Sequence, residues 1–579
     1  MTINSSSRHD RAMHTGDYDR NSGESIRVTR RSFLGTTLAG GAALMAGGLT
    51  AFAARPPFIE KSILELQELM TSGSLTSREL TSDYLSRIGS LNPLLRAVIE
   101  TNPDAMEIAA NRDAERRAGQ IRSRLHGIPI LVKDNIATDD KMETTAGSLA
   151  LVGSKVPADA VLVKRLRAAG AIIIGKANLS EWANFRGYAP FNGWSARGGF
   201  TRDPYLLGFD PCGSSSGSAV APAASMCAAA VGTETDGSIV CPSGNNLVVG
   251  LKPTVGLISG KGIIPIAHSQ DTAGPMCRTI SDVAVMMNVL RSPSGEVAGH
   301  RLPVDYTNYL KRGSLQGKRI GVDERYFTAD YGGERPLVAV ARQGLAAMER
   351  LGATLVPTDT GDPFANNFKF YNDEYLVLLI EFKKQIAEYL STLKNTTMRT
   401  LADLIAFNKE HCAEEMEYFG QQVFKQSQAT SGDLNDPDYI AARQANLEFA
   451  RGGIDGAMQR DNLHAIVAPT YSYASSPAAV AGYPDISIPV GLTPIGKPAG
   501  LWMYASFLQE PRLIAFAYDL EQEIHPRTQP KFLGTEPPEP KNAGICAKLA
   551  NPAMSAQAES SSGDVSLPYH LGTGKPFLR

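Results

Sequence analysis

Cysteine is scarce in this chain of 579 residues, with six in all, at positions 212, 227, 241, 277, 412 and 546. That is too sparse for a small fold stapled by disulfides, and the spacings lack the pairing of a zinc site. The sequence therefore reads them as buried free thiols, with Cys212 and Cys241 bordering the site argued below. Excess charge of either sign is also missing: 57 Lys and Arg face 59 Asp and Glu, a net charge of −2. Without a basic field, nucleic acid is not an expected partner. None of the nine histidines stands in a recognisable hydrolase context, so a histidine base has no support here. Repeats of fixed period are absent. The one run that could be a membrane anchor, ending at Ala53, is so rich in Gly, Ala and Thr that it would span poorly.

What is present is ample. Hydrophobic residues make up 43% of the chain, enough for a substantial core. Residues Met1–Ile26 are polar and mixed in charge, as a disordered leader is. Arg30-Arg31 before the Gly/Ala-rich run resembles a twin-arginine export signal, with Ala51-Phe52-Ala53 as a small-residue cleavage site. Residues 1–53 are therefore expected to be an export signal and disordered leader. The expected destination is periplasmic or extracellular, with the twin-arginine machinery as partner during targeting and no stable membrane association afterwards. A single large domain is expected over 54–522. A Pro- and Ser-rich tail over 523–579, with little core of its own, follows.

Within the large domain the phrasing is α/β. Ser62…Glu65 and Thr76…Glu79 fit capping boxes that open two helices, and a third is expected over about 103–118. Gly127-Ile128-Pro129-Ile130-Leu131-Val132 is a short apolar run suited to a buried strand, and it ends at Lys133-Asp134-Asn135. A helix over about 159–169 stops at Gly170 and feeds a strand at 171–175, a helix–Gly–strand phrase that predicts layered α/β structure. Strand segments are expected at 248–254 and 256–259, at 319–322, at 353–356, at 465–468 and at 486–490, with a helix over 336–351. The stretch 372–458 is helical in pattern: Tyr375, Leu379, Phe382, Ile386 and Tyr389 share a face, and Thr400 offers an N-cap.

The chain's most distinctive stretch runs from Cys212 to Pro242. Cys-Gly-Ser-Ser-Ser-Gly-Ser opens it, a segment of Ala, Val, Met and Cys fills it, and Gly-Thr-Glu-Thr-Asp-Gly-Ser-Ile-Val-Cys-Pro closes it. Glycine permits left-handed backbone and close approach, so such clusters can aim several amides at one point. A nest of donors suits a developing oxyanion, and the hydroxyls beside it are candidate nucleophiles. A flexible Gly/Ser linker fits the intervening apolar residues poorly.

This wording resembles the core of the amidase signature family of serine hydrolases, and its peptide amidase branch most closely. The resemblance extends from about Ser62 to Gln522. It implies a mixed, twisted central sheet covered by helices, and a Ser–Ser–Lys triad. In it a neutral Lys133 takes a proton from Ser214, which takes one from Ser238 as Ser238 attacks a carboxamide. The resemblance also implies a cis peptide at Gly213–Ser214. The backbone amides of Thr235, Asp236, Gly237 and Ser238 would form the oxyanion hole, with Asn184 and Ser215 contacting substrate. Metal and organic cofactors have no part in it. Asp271 falls in a family stretch beside the site and reads as structural. Cys212 and Asp236 stand where glycine is usual and Val240 where arginine is common, which agrees with the peptide amidase branch and weakens a transfer-RNA amidotransferase reading.

The expected activity is thus removal of C-terminal amides from peptides with release of ammonia. Small acyl amides or aryl amides are the alternative substrates. Two rivals are weighed against it. Gly213-Ser214-Ser215-Ser216-Gly217 also satisfies a nucleophile elbow with Ser215 at its centre, but Pro204–Pro211 is a poor strand to precede one. An inactive binding protein on the same scaffold is the other.

Overall fold

The computed structural model describes residues 58–292 and 294–550. The expected export leader over 1–53 and the end of the tail lie outside the described residues.

Both predicted capping boxes are present. The Ser62 hydroxyl caps the helix Ile63–Thr71 through the Glu65 amide, and Thr76 caps Ser77–Leu95 through Glu79. In each, the glutamate carboxylate reaches back to the cap amide, so exposed donors at the helix start are satisfied reciprocally. The third helix covers Ala105–Arg117.

Eleven strands make one mixed sheet. In chain order these are β1 (Val98–Thr101), β2 (Pro129–Lys133), β3 (Ile172–Ala177), β4 (Ala229–Glu234), β5 (Val249–Lys252), β6 (Thr272–Cys277), β7 (Arg319–Val322), β8 (Thr354–Pro357), β9 (Ala465–Pro469), β10 (Asp485–Leu492) and β11 (Pro498–Tyr504). Their spatial order is β1-β3-β2-β4-β6-β5-β10-β11-β9-β7-β8. Strands β3, β2 and β4 run parallel, as do β9, β7 and β8, while the strands between these groups pair antiparallel. Every residue of β2 and of β4 is buried, which is what strands covered on both faces require. The expected strand at 256–259 is a correction: those residues form a turn. Gly256 sits at φ +89, in left-handed backbone that breaks a strand.

One apolar core lies against both faces of the sheet. A second gathers Leu179, Trp182, Phe185, Ile264, Leu378 and Phe382 beneath the long helix Ala365–Thr392 and its neighbours Leu401–Glu410 and Gln422–Ala429. The helical pattern over 372–458 therefore resolves into several helices, with Pro437–Arg460 packed on the long one.

Beyond the helix that ends at Ile524 the described chain has little regular structure before the short helix Ile545–Ala550, and it is tied down. Arg527 pairs with Glu60 at 2.7 Å and donates to Ala223 O at 2.6 Å. Leu533 bridges to Leu206, and Cys546 is joined to Cys412 by a disulfide. A second disulfide links Cys212 and Cys241, so the reading of all six cysteines as free thiols fails for four of them. The partners lie 134 and 29 residues apart in sequence. Spacings of that size carry no sign of the closeness that the fold creates. Cys227 and Cys277 are free and buried.

Candidate active site

Lys133 ends β2, and the parallel neighbour β4 ends close by at Thr233 and Glu234, so both strands deliver polar residues to the same edge of the sheet. Between β2 and β4 in sequence, the short helix Ser216–Ala223 starts directly after Ser214 and Ser215. It can sit there because Gly217 has no side chain: a Cβ would lie 2.2 Å from Ala97 O. Lys133, Ser214 and Ser215 are wholly buried, and Ser238 is 4% exposed.

The Lys133 ammonium nitrogen lies 2.8 Å from Ser214 Oγ, 2.9 Å from Ser215 Oγ and 2.9 Å from Thr233 Oγ1. Ser215 donates its own proton to Thr233 O at 2.9 Å, so towards the amine it can only accept. Ser214 has no such commitment and can give its proton to the lone pair of a neutral lysine. Asn135 Nδ2 fixes Thr233 Oγ1 from the far side at 3.0 Å. Burial strips the ammonium of water and lowers the Lys133 pKa to about 7, although Asp271 and Glu234 pull the other way.

The Gly213–Ser214 peptide bond is cis. Ser215 N donates to Ser238 O at 3.2 Å, which sets the Ser214–Ser215 segment against Ser238. The Ser238 hydroxyl makes no hydrogen bond among the described residues.

The turn 235–240 is held chiefly by a residue that sequence reasoning passed over. Glu234, buried at the end of β4, accepts from the amides of Gly237 at 2.9 Å, Ile239 at 2.7 Å and Val240 at 3.0 Å. This corrects one assignment: the Gly237 amide is engaged by Glu234 and is not available to an oxyanion. The amides of Thr235, Asp236 and Ser238 meet no side-chain or turn acceptor among the described residues. Gly237 itself is needed for its φ of +74. The signal that could have exposed Glu234 is its place, an acid directly before a turn full of unpaired amides.

Other carboxylates brace the same turn. Asp271 accepts from Thr235 Oγ1 at 2.6 Å and from the amides of Ile266 and Ala267, a structural role as the sequence reading had it. The Asp236 side chain accepts from Ser475 and Ser476 at 3.0 and 2.6 Å. Burial raises both acids to about 7.

The two expected substrate contacts come out differently. Ser215 is wholly buried and bonded to Lys133 and Thr233, so it is not a substrate-facing group, which is a correction. The nucleophile-elbow reading fails as well, because no strand leads into Ser215. Asn184 donates to Asn192 Oδ1 at 2.9 Å, and its own carbonyl oxygen has no partner among the described residues.

Beside this cluster opens a cavity of about 500 Å³. Thr233, Thr235 and Asn135 form its polar end, and Ile258, Ile264 and Tyr389 belong to its walls. The turn at 256–259, misread as a strand, is thus part of the cavity wall.

This fold and site define a class. A family model described as Amidase matches residues 79–476, and the chain belongs to that family, the amidase signature hydrolases, as an amide-hydrolysing enzyme. Among solved structures it is similar to the peptide amidase of Stenotrophomonas maltophilia, at 46% identity and a TM-score of 0.77, covering 83% of this chain and all of that one. It is 39% identical over 483 residues to a probable amidase of Arabidopsis thaliana, spanning 82% of this chain and 92% of the relative. It is 33% identical over 501 residues to a glutamyl-tRNA(Gln) amidotransferase component from Myxococcus xanthus, spanning 81% of this chain and 99% of the relative.

Proposed function

We propose that the chain deamidates the C-terminal amide of peptides through an acyl-enzyme on Ser238, with Ser214 and Lys133 as the proton relay. The carrying observation is the Lys133–Ser214 contact at 2.8 Å inside a fully buried pocket, which supplies a neutral amine as base without any histidine. As Ser238 Oγ attacks the amide carbon, its proton passes to Ser214 and that of Ser214 to Lys133. The relay requires the Ser238 hydroxyl to turn onto Ser214 when substrate is bound, a tightening common in unliganded hydrolase sites. The amides of Thr235, Asp236 and Ser238 are the donors for the oxyanion. Return of the proton expels ammonia, and water then releases the acid by the same steps.

The cavity supports the substrate side: Thr235 of the turn before Ser238 lines it, and its isoleucine-rich wall offers apolar surface to a peptide segment. Similarity to the Stenotrophomonas peptide amidase supports the same class. Export into an oxidising compartment is part of this proposal, and the two disulfides support it.

The test is ammonia release from C-terminally amidated dipeptides and tripeptides, compared with simple acyl amides and anilides. Preference for the peptide amides by kcat/KM is expected. Turnover of simple amides alone would replace peptides by small amides as substrate, and no turnover of any amide would leave only a binding protein.

A further inference from the structure

Ser214 and Ser238 stand on segments held by hydrogen bonds, not by apolar packing. Gly213-Ser214-Ser215 leads into the helix Ser216–Ala223, and Asp236-Gly237-Ser238 leads towards the helix Val240–Asn245. Neither triplet has an apolar side chain that packing could hold. Side chains flanking them do that work instead. Asn245 Nδ2 donates to Asp210 O at 2.7 Å and Asn246 Nδ2 to Pro211 O at 2.9 Å, stitching the chain before Cys212 to the helix after Ser238. On the other side, Ser215 N reaches Ser238 O at 3.2 Å. Between these stitches lies the Cys212–Cys241 disulfide, the single covalent link between the two segments among the described residues. Its halves are 1% and 2% exposed, in an apolar cluster with Val240, Tyr326, Phe370, Tyr371 and Trp502. Trp502 Nε1 fixes the same segment by donating to Val240 O at 3.2 Å.

We propose that the Cys212–Cys241 cystine is a positioning element for amide hydrolysis, setting the separation of the segments that carry Ser214 and Ser238. The inference rests on the reading of Ser238 as nucleophile and Ser214 as relay. Hydrogen bonds alone leave each segment free to shift by fractions of an ångström, and a misplacement of about 1 Å can cost on the order of 100-fold in rate. Most of the cavity wall comes from other segments, with Thr235 the one lining residue on the turn that carries Ser238, so ground-state binding depends little on the cystine. Its loss therefore lowers kcat and spares KM.

The experiment compares Cys212→Ala/Cys241→Ala with Cys412→Ala/Cys546→Ala, the second pair lying outside the site. Rates are expressed per acylatable enzyme, counted from the burst of 4-nitrophenol released from a 4-nitrophenyl ester, so that partial unfolding does not pass for a slow site. The first double variant is expected to lose about 10-fold or more in kcat with KM within about threefold, and the second to keep its kcat. The acid limb of the rate profile should stay in place in both, because the burial of Lys133 does not involve either cystine. Wild-type kcat per acylatable Cys212→Ala/Cys241→Ala enzyme overturns the proposal. If that variant does not fold, a non-reducing peptide map of active wild type decides instead: a linked Cys212–Cys241 peptide is expected, and free thiols at both positions in fully active enzyme overturn the proposal. Activity surviving in Ser238→Ala is a separate result, one that sinks the nucleophile assignment instead.

Discussion

Glu234 Oε2 and the amide of Ile239 meet at 2.7 Å, a buried carboxylate gripping the turn immediately past Ser238. With the Gly237 and Val240 amides also in its grasp, Glu234 shapes the loop from inside, and the remaining amides are left pointing elsewhere. Replacing it by alanine removes three hydrogen bonds at once. Glu234→Ala is expected to lose roughly 100-fold or more in kcat, the scale seen when oxyanion donors are lost. Glu234→Gln keeps one carbonyl oxygen and should fall between. Single-turnover acylation rates check this, and an unimpaired Glu234→Ala enzyme would mean that the loop is held by something else.

In the proposed relay Lys133 works only without its proton. Burial brings its pKa down to about 7, so activity should climb as pH rises through that value. Below it the amine carries a charge and cannot accept from Ser214. The profile of kcat/KM between pH 5 and 9 is the measurement. An enzyme fully active at pH 5 contradicts a lysine base, as does an acid limb that persists unchanged in whatever activity Lys133→Ala retains.

The same lysine leaves a mark on stability, and its sign can be worked out. In the unfolded chain Lys133 holds its proton to about 10.4. Folded, it releases the proton above about 7. Across that interval the unfolded state binds more protons, so the contribution of Lys133 to stability rises with pH. Lys133→Met abolishes this dependence while losing hydrogen bonds whose worth varies little with pH. The melting temperature of the variant minus that of wild type should therefore fall steadily from pH 7 to pH 10, as wild type gains stability that the variant does not. A flat difference would show that the lysine is not desolvated as its burial indicates.

Ile264 offers a handle on substrate size. It lines the cavity wall, and its backbone amide is fixed by Asn135 O at 2.9 Å. A tryptophan there takes up space on the cavity wall and alters no residue of the proposed relay. Ile264→Trp should raise KM for peptide amides by about 10-fold or more and leave small amides nearly untouched. Equal effects on both classes would argue that peptides bind elsewhere.

The α/β layering was legible because it is written locally, whereas the pairing of Lys133 with Ser214, 81 residues apart, came from the resemblance to the family. An apolar strand ending in lysine, a Ser/Gly cluster before a small-residue helix and reciprocal hydroxyl–glutamate caps all occupy a few consecutive residues. What escaped depends on distance along the chain. Glu234 sits inside the recognised stretch, yet its role follows only once the turn folds back over it. Ser475 and Ser476 lie more than 200 residues from Asp236 and carry no sign of meeting it. The disulfides were missed for the same reason. Gly256 turned a predicted strand into a cavity wall because a local apolar pattern cannot show which way a glycine will bend the chain. Ser215, which the resemblance placed against substrate, is a hydroxyl enclosed by Lys133 and Thr233 in the fold, a setting that its own neighbours in sequence do not show.

The bond between Cys412 and Cys546 has a practical side. It makes the polypeptide a closed ring from 412 to 546, so a protease nick anywhere in between leaves two pieces that stay attached until a reductant is added. Cleavage in the loops between the late helices would therefore go unseen on a non-reducing gel, and a preparation judged intact by that gel alone could carry many cut chains.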